Sequence, residues 1–258
     1  MIDIGVNLTH PSLIDKLDEN IHQWQSAGIS QIIAIASDLE ESAQLIEIAN
    51  KNLSIKHTLG CHPHHADHWN HHSITTLRQL FNQSPHVVAI GETGLDFNRN
   101  YSSPENQIRA FDDQIQVSKS LKCPLYLHER DAQKVMIDIL KNHFDDEVNG
   151  VLHCFTANKE CLKSYLDLGL HIGITGWICD ERRGQDLQEA IKYIPKDKLL
   201  LETDAPYLLP RSLRPRPKKN HPKHLPHIAK EAAFYADISE GDLIEITRNN
   251  TKRLFSMN

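Results

Sequence analysis

The chain has 258 residues, of which 40% are hydrophobic, and its formal net charge is −6 at pH 7. This length is typical of one (β/α)₈ barrel, and the hydrophobic fraction is sufficient for a sizeable core. No apolar run reaches the roughly 18–20 residues that a membrane span requires, and the first residues lack the basic and apolar regions of a signal peptide. We therefore expect a single domain over residues 1–258, a cytoplasmic location and no membrane partner.

The net charge limits how a nucleic acid could bind, and the cysteines argue against a disulfide-stabilised protein. Because the field of the whole chain is negative, a nucleic acid would have to be attracted by a local basic patch. The five cysteines are odd in number and form no Cys-x-x-Cys pair. They indicate buried free thiols in a reducing compartment and not a disulfide framework.

Short apolar runs alternate with longer helical patterns along the chain, at intervals of roughly 25–35 residues, the length of a βαβ unit. The predicted strands are Met1–Val6, Gln31–Ala36, Ile55–Gly60, Val87–Gly91, Pro124–Leu127, Val151–Leu152, His171–Thr175 and Lys198–Leu201. Eight such units predict an α/β fold, a (β/α)₈ TIM barrel of the metal-dependent hydrolase type. An open doubly wound sheet is the alternative, but polar residues recur at strand ends around the whole series and not at one switch point.

Helix boundaries also have local signals. Asp38 and Glu41 have the spacing of a capping box. The apolar face predicted after it consists of Ala43, Ile46 and Ala49. Ser103, followed by Pro104, predicts a second helix start. The proline-rich stretch Pro206–Pro226 predicts a long ordered loop.

Chemically active side chains stand at the ends of the predicted strands, and in a barrel these positions converge on one face. Two carboxylates and two imidazoles occupy such positions on four different strands, namely Glu92, His128, His153 and Asp204. This donor set suits a divalent cation, for which we expect Mg²⁺, with Mn²⁺ or Zn²⁺ as alternatives. Such a cation polarises a phosphoryl oxygen and lowers the pKa of bound water toward ~7.

Each of these residues also has a structural interpretation. A histidine at a strand end is commonly a hydrogen-bonded part of the fold, and Asp204 before Ala205-Pro206 is consistent with the start of a turn. The shared position of the four residues, at the same end of four predicted strands, favours a common role in metal binding.

Further polar residues are predicted on the same face. His62 and His64 follow the third strand, where they are placed to contact substrate phosphate or to move protons. Basic residues follow the fourth, fifth, seventh and eighth strands, namely Arg99, Arg130, Arg182, Arg183, Arg211, Arg214, Arg216, Lys218, Lys219 and Lys223. Arginine forks and lysine charges suit phosphate oxygens, so this pattern indicates a polyanion, although solvated loops are an alternative for the last cluster.

Aromatic residues are interspersed among these polar positions. Those predicted on the same face are Trp69, Tyr101, Trp177 and Tyr207. Such rings stack on the bases of a single strand in many nucleic-acid-binding proteins. Packing beneath the loops is the alternative role.

The motifs, taken together and in order, resemble the TatD family of metal-dependent deoxyribonucleases. The matching segments are Gly60–His64, Gly91–Phe97, Leu127–Ala132, Leu152–Thr156, Gly173–Trp177, Leu200–Pro210 and Asn250–Phe255. The resemblance implies an amidohydrolase-like barrel and a divalent metal bound by Glu92, His128, His153 and Asp204. It also implies a cytoplasmic 3′→5′ exonuclease that acts on single-stranded DNA and RNA and takes part in DNA repair.

One segment departs from the pattern of this family. Many members carry a His-x-His pair at the end of the first strand, where it binds a second metal, but Gly5 and Asn7 occupy these positions here. Glycine has no ligand atom, and an amide oxygen is a weak ligand. Asp3 remains in the same strand without restoring the pair. We therefore expect one well-bound metal ion.

Three functions are consistent with these residues. In an exonuclease, Asp204 would orient or deprotonate the attacking water, and His62, His64 and Arg130 would bind the substrate backbone. The same barrel and metal ligands would also serve an amidohydrolase or phosphoesterase that acts on a small molecule. The third function is that of a binding protein that has lost its metal. We expect a monomer, and the sequence leaves cleavage polarity and the preference for DNA or RNA open.

Overall fold

The computed structural model describes residues 1–257. Its strands lie in the order in which they occur in the chain, in one eight-stranded sheet. They are β1 (Ile2–Val6), β2 (Gln31–Ala34), β3 (Ile55–Leu59), β4 (Val87–Asp96), β5 (Leu125–Arg130), β6 (Gly150–Leu152), β7 (His171–Ile174) and β8 (Leu199–Leu201). All eight predicted strands are therefore confirmed. The sequential order is that of a (β/α)₈ barrel, whereas a doubly wound sheet reverses its order at a switch point.

Helices separate most of these strands. They are α1 (Pro11–Ile14), α2 (Leu17–Ser26), α3 (Leu39–Lys51), α4 (His71–Phe81), α5 (Pro104–Leu121), α6 (Gln133–His143), α7 (Lys159–Leu166), α8 (Gln185–Ala190), α9 (Leu225–Ala236) and α10 (Glu240–Leu254). Within residues 1–257, none of them combines the length and apolar character needed to span a membrane. The predicted long loop fills most of the chain between β8 and α9.

The chain divides into two compact units. The first unit comprises residues 1–34, 153–166 and 171–257, and it contains β1, β2, β7 and β8. The second unit comprises Ile35–Leu152 and Asp167–Leu170, and it contains β3 to β6. The expectation of a single domain over residues 1–258 stays a prediction.

In the first unit, the last strand region is joined to the first. Val6 and Ala205 form a parallel bridge. The Asp204 N–H donates to the Gly5 carbonyl at 2.9 Å, and the Asn7 N–H donates to the Ala205 carbonyl at 2.8 Å. These bonds bring Asp204 beside Gly5 and Asn7 at the end of β1.

In the second unit, two strands run further than the sequence predicts. β4 continues to Asp96 and β5 to Arg130, with Gly94 paired to His128 and Asp96 paired to Arg130. Glu92 and His128 consequently lie within strands and not after them, which corrects the predicted strand ends. The apolar runs end earlier because these extensions carry polar side chains, so hydrophobicity alone does not mark them.

Glycine is required where β4 approaches β5. Gly94 has φ +141°, and a Cβ atom there would lie 2.0 Å from the His128 carbonyl oxygen. Gly91 has φ +146°, and its Cβ atom would lie 2.2 Å from the Tyr126 carbonyl oxygen. L-residues with side chains rarely adopt such a backbone conformation. These two glycines therefore permit the close contact of the strands on both sides of Glu92.

The start of α3 confirms one part of the predicted capping box and corrects another. The Asp38 side chain accepts from the Glu41 N–H at 2.8 Å, as an N-cap does. The Glu41 carboxylate, however, accepts from the Ser37 N–H at 2.6 Å and not from the N-cap residue. Ala43 is exposed, and Leu45 is buried in its place, together with the predicted Ile46 and Ala49. The buried face is thus rotated from the predicted one.

The five cysteines all lie within the described residues and are free thiols, as predicted. Cys61, Cys123 and Cys179 are buried, whereas Cys154 and Cys161 are partly exposed. Burial raises the pKa of the three buried thiols to about 12. Because the thiolate is the reactive form, these side chains are chemically inert at neutral pH.

We expect Gly94→Ala to destabilise the protein by about 2–5 kcal/mol, since it adds backbone strain and an overpacked methyl group. Gly241→Ala is the matched control, because Gly241 lies in α10 and its Cβ atom would have no neighbour closer than 3.9 Å. That change should stabilise the helix by up to about 1 kcal/mol. Urea unfolding of both variants measures the difference, and equal stabilities would contradict this account of β4.

Candidate metal centre

Three potential metal ligands meet in the second unit. Glu92 Oε1 lies 2.8 Å from His128 Nδ1 and 3.4 Å from His62 Nε2. One ligand atom from each of these residues lies within 4.8 Å of the other two. Glu92 and His62 are buried, and the His128 side chain is 20% exposed. A carboxylate and two imidazoles at this separation are a donor set that suits a divalent cation.

The His62 ring is neutral at physiological pH. Burial lowers the pKa of His62 to about 4, although the nearby Glu92 carboxylate raises it. A neutral imidazole retains a lone pair for coordination, whereas a protonated ring does not. His62 therefore belongs to the donor group by geometry and by charge, while the sequence predicts it as a substrate contact.

Asp96 is a site residue that the sequence analysis missed. Its Oδ2 lies 2.7 Å from His64 Nε2 and 3.6 Å from His128 Nε2. Burial raises the pKa of Asp96, but the nearby His128 ring and hydrogen bonds from the Arg99 N–H and His64 hold it below its usual range. Asp96 lies four residues after Glu92 in β4, so both side chains point to the same face. This period-2 spacing is a signal by which Asp96 could have been found.

The first unit contains the other two predicted ligands. His153 Nδ1 lies 3.4 Å from Glu202 Oε2, and Glu202 is fully buried. Burial raises the pKa of Cys154, and the nearby charges of Asp204 and Glu202 act in the same direction, while His153 lowers it. His153 and Asp204 are thus gathered around Cys154. Glu202 was not predicted, although it stands two residues before Asp204.

Three residues at or next to the predicted site residues have a positive φ angle. Cys154 and Asp204 have φ +50° and +55°, and Asp131, which follows Arg130, has φ +55°. Residues other than glycine seldom occupy this region, and those that do are concentrated at functional sites.

Asn7 orients Asp204. Its Nδ2 group donates to Asp204 Oδ1 at 2.8 Å, so the amide nitrogen faces the carboxylate. Asp3, further back in β1, is fully buried and accepts from the Thr203 hydroxyl at 2.6 Å. Burial raises the pKa of Asp3 to about 8 in spite of the hydrogen bonds from Thr203. Both side chains thus bind neighbouring groups of the chain, and the expectation of one metal ion stays a prediction.

The structure therefore places the predicted residues in two groups. Glu92 and His128 are together in the second unit, next to His62 and, through Asp96, to His64. His153 and Asp204 are in the first unit. Coordination of one cation by Glu92, His128, His153 and Asp204 stays a prediction. Arg130 is exposed at the end of β5, and among residues 1–257 its guanidinium forms no ion pair within 4.0 Å.

Several predicted phosphate contacts have acidic partners. Arg183 NH2 lies 3.0 Å from Asp180 Oδ2, and Arg182 Nε lies 3.8 Å from Asp180 Oδ1. Arg211 pairs with Glu181 at 3.2 Å and borders a cavity of about 340 Å³. These arginines are not free charges, so the basic face is weaker here than the sequence indicates.

The four aromatic candidates differ in their surroundings. Trp69 is buried, and its indole N–H donates to Asp113 at 2.9 Å, so it packs beneath the loops. The Arg183 guanidinium lies over the Trp177 ring, 4.5 Å from its centre. Tyr101 and Tyr207 are 65% and 53% exposed. Only these two tyrosines among the four are more than half exposed.

Comparison with known proteins gives the same fold and site class. The family model described as TatD related DNase matches residues 2–256. The 3′-5′ ssDNA/RNA exonuclease TatD of Erwinia tasmaniensis is 46% identical over 260 residues, which cover 100% of both chains. The protein of the same name from Escherichia coli (strain K12) is 42% identical over 259 residues, which cover 100% of this chain and 99% of the other.

A solved structure agrees with these matches. The crystal structure of a TatD homolog from Escherichia coli has a TM-score of 0.91 at 25% identity and covers 100% of this chain and 98% of that chain. Fold and relatives define a metal-dependent hydrolase on a (β/α)₈ barrel, which confirms the predicted fold class. The chain belongs to the TatD-related DNase family. A divalent-metal site is supported both by this family and by the buried cluster of His62, Glu92 and His128.

We expect His62→Ala to weaken metal binding at least about 10-fold, because it removes one of the three clustered donors. His65→Ala is the matched control, since the His65 side chain is 43% exposed and its Nδ1 lies 4.0 Å from Asp38. Competition of each purified variant with a chromophoric chelator for Zn²⁺ measures the affinity. Equal affinity of His62→Ala and the unmodified protein would show that His62 is not a ligand.

Proposed function

We propose that this protein is a 3′→5′ exonuclease that hydrolyses phosphodiester bonds in single-stranded DNA and RNA, with Mg²⁺ as its cation and Mn²⁺ or Zn²⁺ as alternatives. The observation that carries the proposal is the buried cluster of His62, Glu92 and His128, in a chain whose full-length relatives carry this activity in their names. A monomeric state, a cytoplasmic location and a part in DNA repair complete the proposal. These three points rest on the sequence and on the family resemblance.

The proposed metal ligands are Glu92, His128, His153 and Asp204, with His62 as an additional donor. When bound, the cation supplies Lewis acidity toward a phosphoryl oxygen and toward water. The carboxylate of Asp204 orients the attacking water or accepts its proton. Asn7 orients this carboxylate by donating to its Oδ1 at 2.8 Å.

Other residues of the second unit bind the substrate backbone in this proposal. His64 is fixed through Nε2 by Asp96, which leaves Nδ1 for a phosphate oxygen or a proton. Arg130 is exposed at the end of the strand that carries His128, so it can present its guanidinium fork to a phosphate. The His64 ring and the Arg130 guanidinium would stabilise the charge that develops on the phosphate in the transition state.

A small-molecule phosphoesterase or amidohydrolase is the second candidate. The observation that favours it is the pairing of Arg183 and Arg211 with Asp180 and Glu181, which reduces the positive charge available to a polyanion. Two exposed basic residues outside these ion pairs, Arg216 and Lys218, favour the nuclease.

We expect Glu92→Gln to lower exonuclease activity by about 10³-fold, since the loss of a charged ligand removes several kcal/mol of transition-state stabilisation. Glu105→Gln, at the exposed start of α5, is the matched control and should retain full activity. Digestion of 5′-labelled single-stranded oligonucleotides with Mg²⁺, Mn²⁺ or Zn²⁺ should give a ladder that shortens from the 3′ end. Undiminished activity of Glu92→Gln, or shortening from the 5′ end, would contradict the proposal.

The two candidate functions predict different salt dependence. Replacing both Arg216 and Lys218 by Gln should reduce the slope of log affinity against log salt by about 0.7 for each lost phosphate contact to a single strand. Replacing the exposed Lys51 and Lys141 by Gln is the charge-matched control and should leave the slope unchanged. Fluorescence anisotropy with a labelled oligonucleotide at several salt concentrations measures the slope. Identical slopes for the two double variants would favour the small-molecule enzyme.

A further inference from the structure

The loop between β4 and α5 holds Tyr101 in a fixed position. On one side of Tyr101, Asp96 Oδ1 accepts from the Arg99 N–H at 2.8 Å. On the other side, the buried Ser102 hydroxyl donates to the His64 carbonyl at 3.0 Å, and the Gln107 side chain donates to the Ser102 carbonyl at 2.9 Å. Both ends of this short segment are anchored in the second unit, so Tyr101 is exposed on a rigid support.

The Tyr101 ring stands beside the proposed site. Its centre lies 4.7 Å from the centre of the His64 ring at an interplanar angle of 74°, and the His64 ring lies 4.2 Å from that of His62. The tyrosine contacts His64 by an edge-to-face arrangement, while 65% of its surface remains in solvent. A large apolar surface that is rigidly exposed next to metal donors contributes little to folding, so it is available for a ligand.

The geometry points to base stacking at the cleavage site: we propose that Tyr101 stacks on the base of one of the two nucleotides joined by the bond that is cleaved. This inference rests on the proposed nuclease function. Stacking on an aromatic ring tolerates any base, because every base has a π-face. A stacked base of this kind suits an enzyme that removes nucleotides one after another without regard to sequence.

The same loop also carries a positive charge, which suits the phosphate backbone of a nucleic-acid strand. Arg99, two residues before Tyr101, is exposed, and among residues 1–257 its guanidinium forms no ion pair within 4.0 Å. A cation and an aromatic ring on one anchored loop match the phosphate and the base of a single nucleotide. A base within a duplex is paired and held in the helical stack, so this contact favours strands whose bases near the 3′ end are unpaired.

The experiment compares oligodeoxynucleotides that carry a base at every position with otherwise identical strands in which the terminal or the penultimate 3′ nucleotide is abasic. On the oligodeoxynucleotide with a base at every position, Tyr101→Ala should lower kcat/KM roughly 5- to 150-fold, the range expected for one lost stacking contact. On the strand whose abasic position corresponds to the stacked base, Tyr101→Ala should have little further effect. Tyr101→Phe retains the ring and should retain the discrimination between the strands.

A matched control and the outcomes separate this inference from the proposed function. Tyr193→Ala is the control, because Tyr193 is 46% exposed and contacts Lys159 and Lys192. If the unmodified protein cleaves none of the strands, the proposed function fails. If it cleaves them, but Tyr101→Ala lowers kcat/KM equally on all strands or on none, the stacking role is overturned and nuclease activity stands.

Discussion

Glu92 and His128 meet because β4 and β5 approach one another more closely than side chains on both strands would permit. Gly94 allows this approach, since any Cβ atom at that position would overlap the His128 carbonyl group. The Glu92 carboxylate and the His128 imidazole are then 2.8 Å apart, so two potential metal ligands lie side by side. His62 completes the cluster as a neutral ring. Asp96 extends this cluster, since its carboxylate lies 2.7 Å from His64 Nε2 and accepts from the Arg99 N–H in the loop after β4.

The order of the elements and the general place of the site were predictable from sequence. Buried apolar runs identify the strands of a parallel sheet, and polar residues that follow such runs identify one face of the sheet. Glu92 and His128, which lie in the donor cluster, were selected in this way, and so were His153 and Asp204, whose role as ligands stays a prediction. The helix start at Ser103 was found as well, because its hydroxyl caps the Asn106 N–H in a purely local contact.

Contacts between distant segments were not predictable in the same way. Asp96 and Glu202 carry no apolar signal, and their importance depends on which histidines lie opposite them in space. The sequence predicted phosphate contacts for the arginines near Asp180, because it does not show the ion pairs that form when the loop folds. Trp69 was a candidate for stacking until Asp113 proved to bind its indole. The predicted β4 and β5 were too short, because the ends of these strands carry polar side chains and pair closely only through a glycine in β4.

The central claim is that the buried cluster of His62, Glu92 and His128 is a binding site for a divalent cation. Anomalous diffraction at the zinc edge, from crystals grown with Zn²⁺, tests this claim most directly. The account predicts a peak at about 2.0–2.2 Å from ligand atoms of Glu92 and His128. A peak bonded to residues elsewhere, or none at Glu92 and His128, would contradict it.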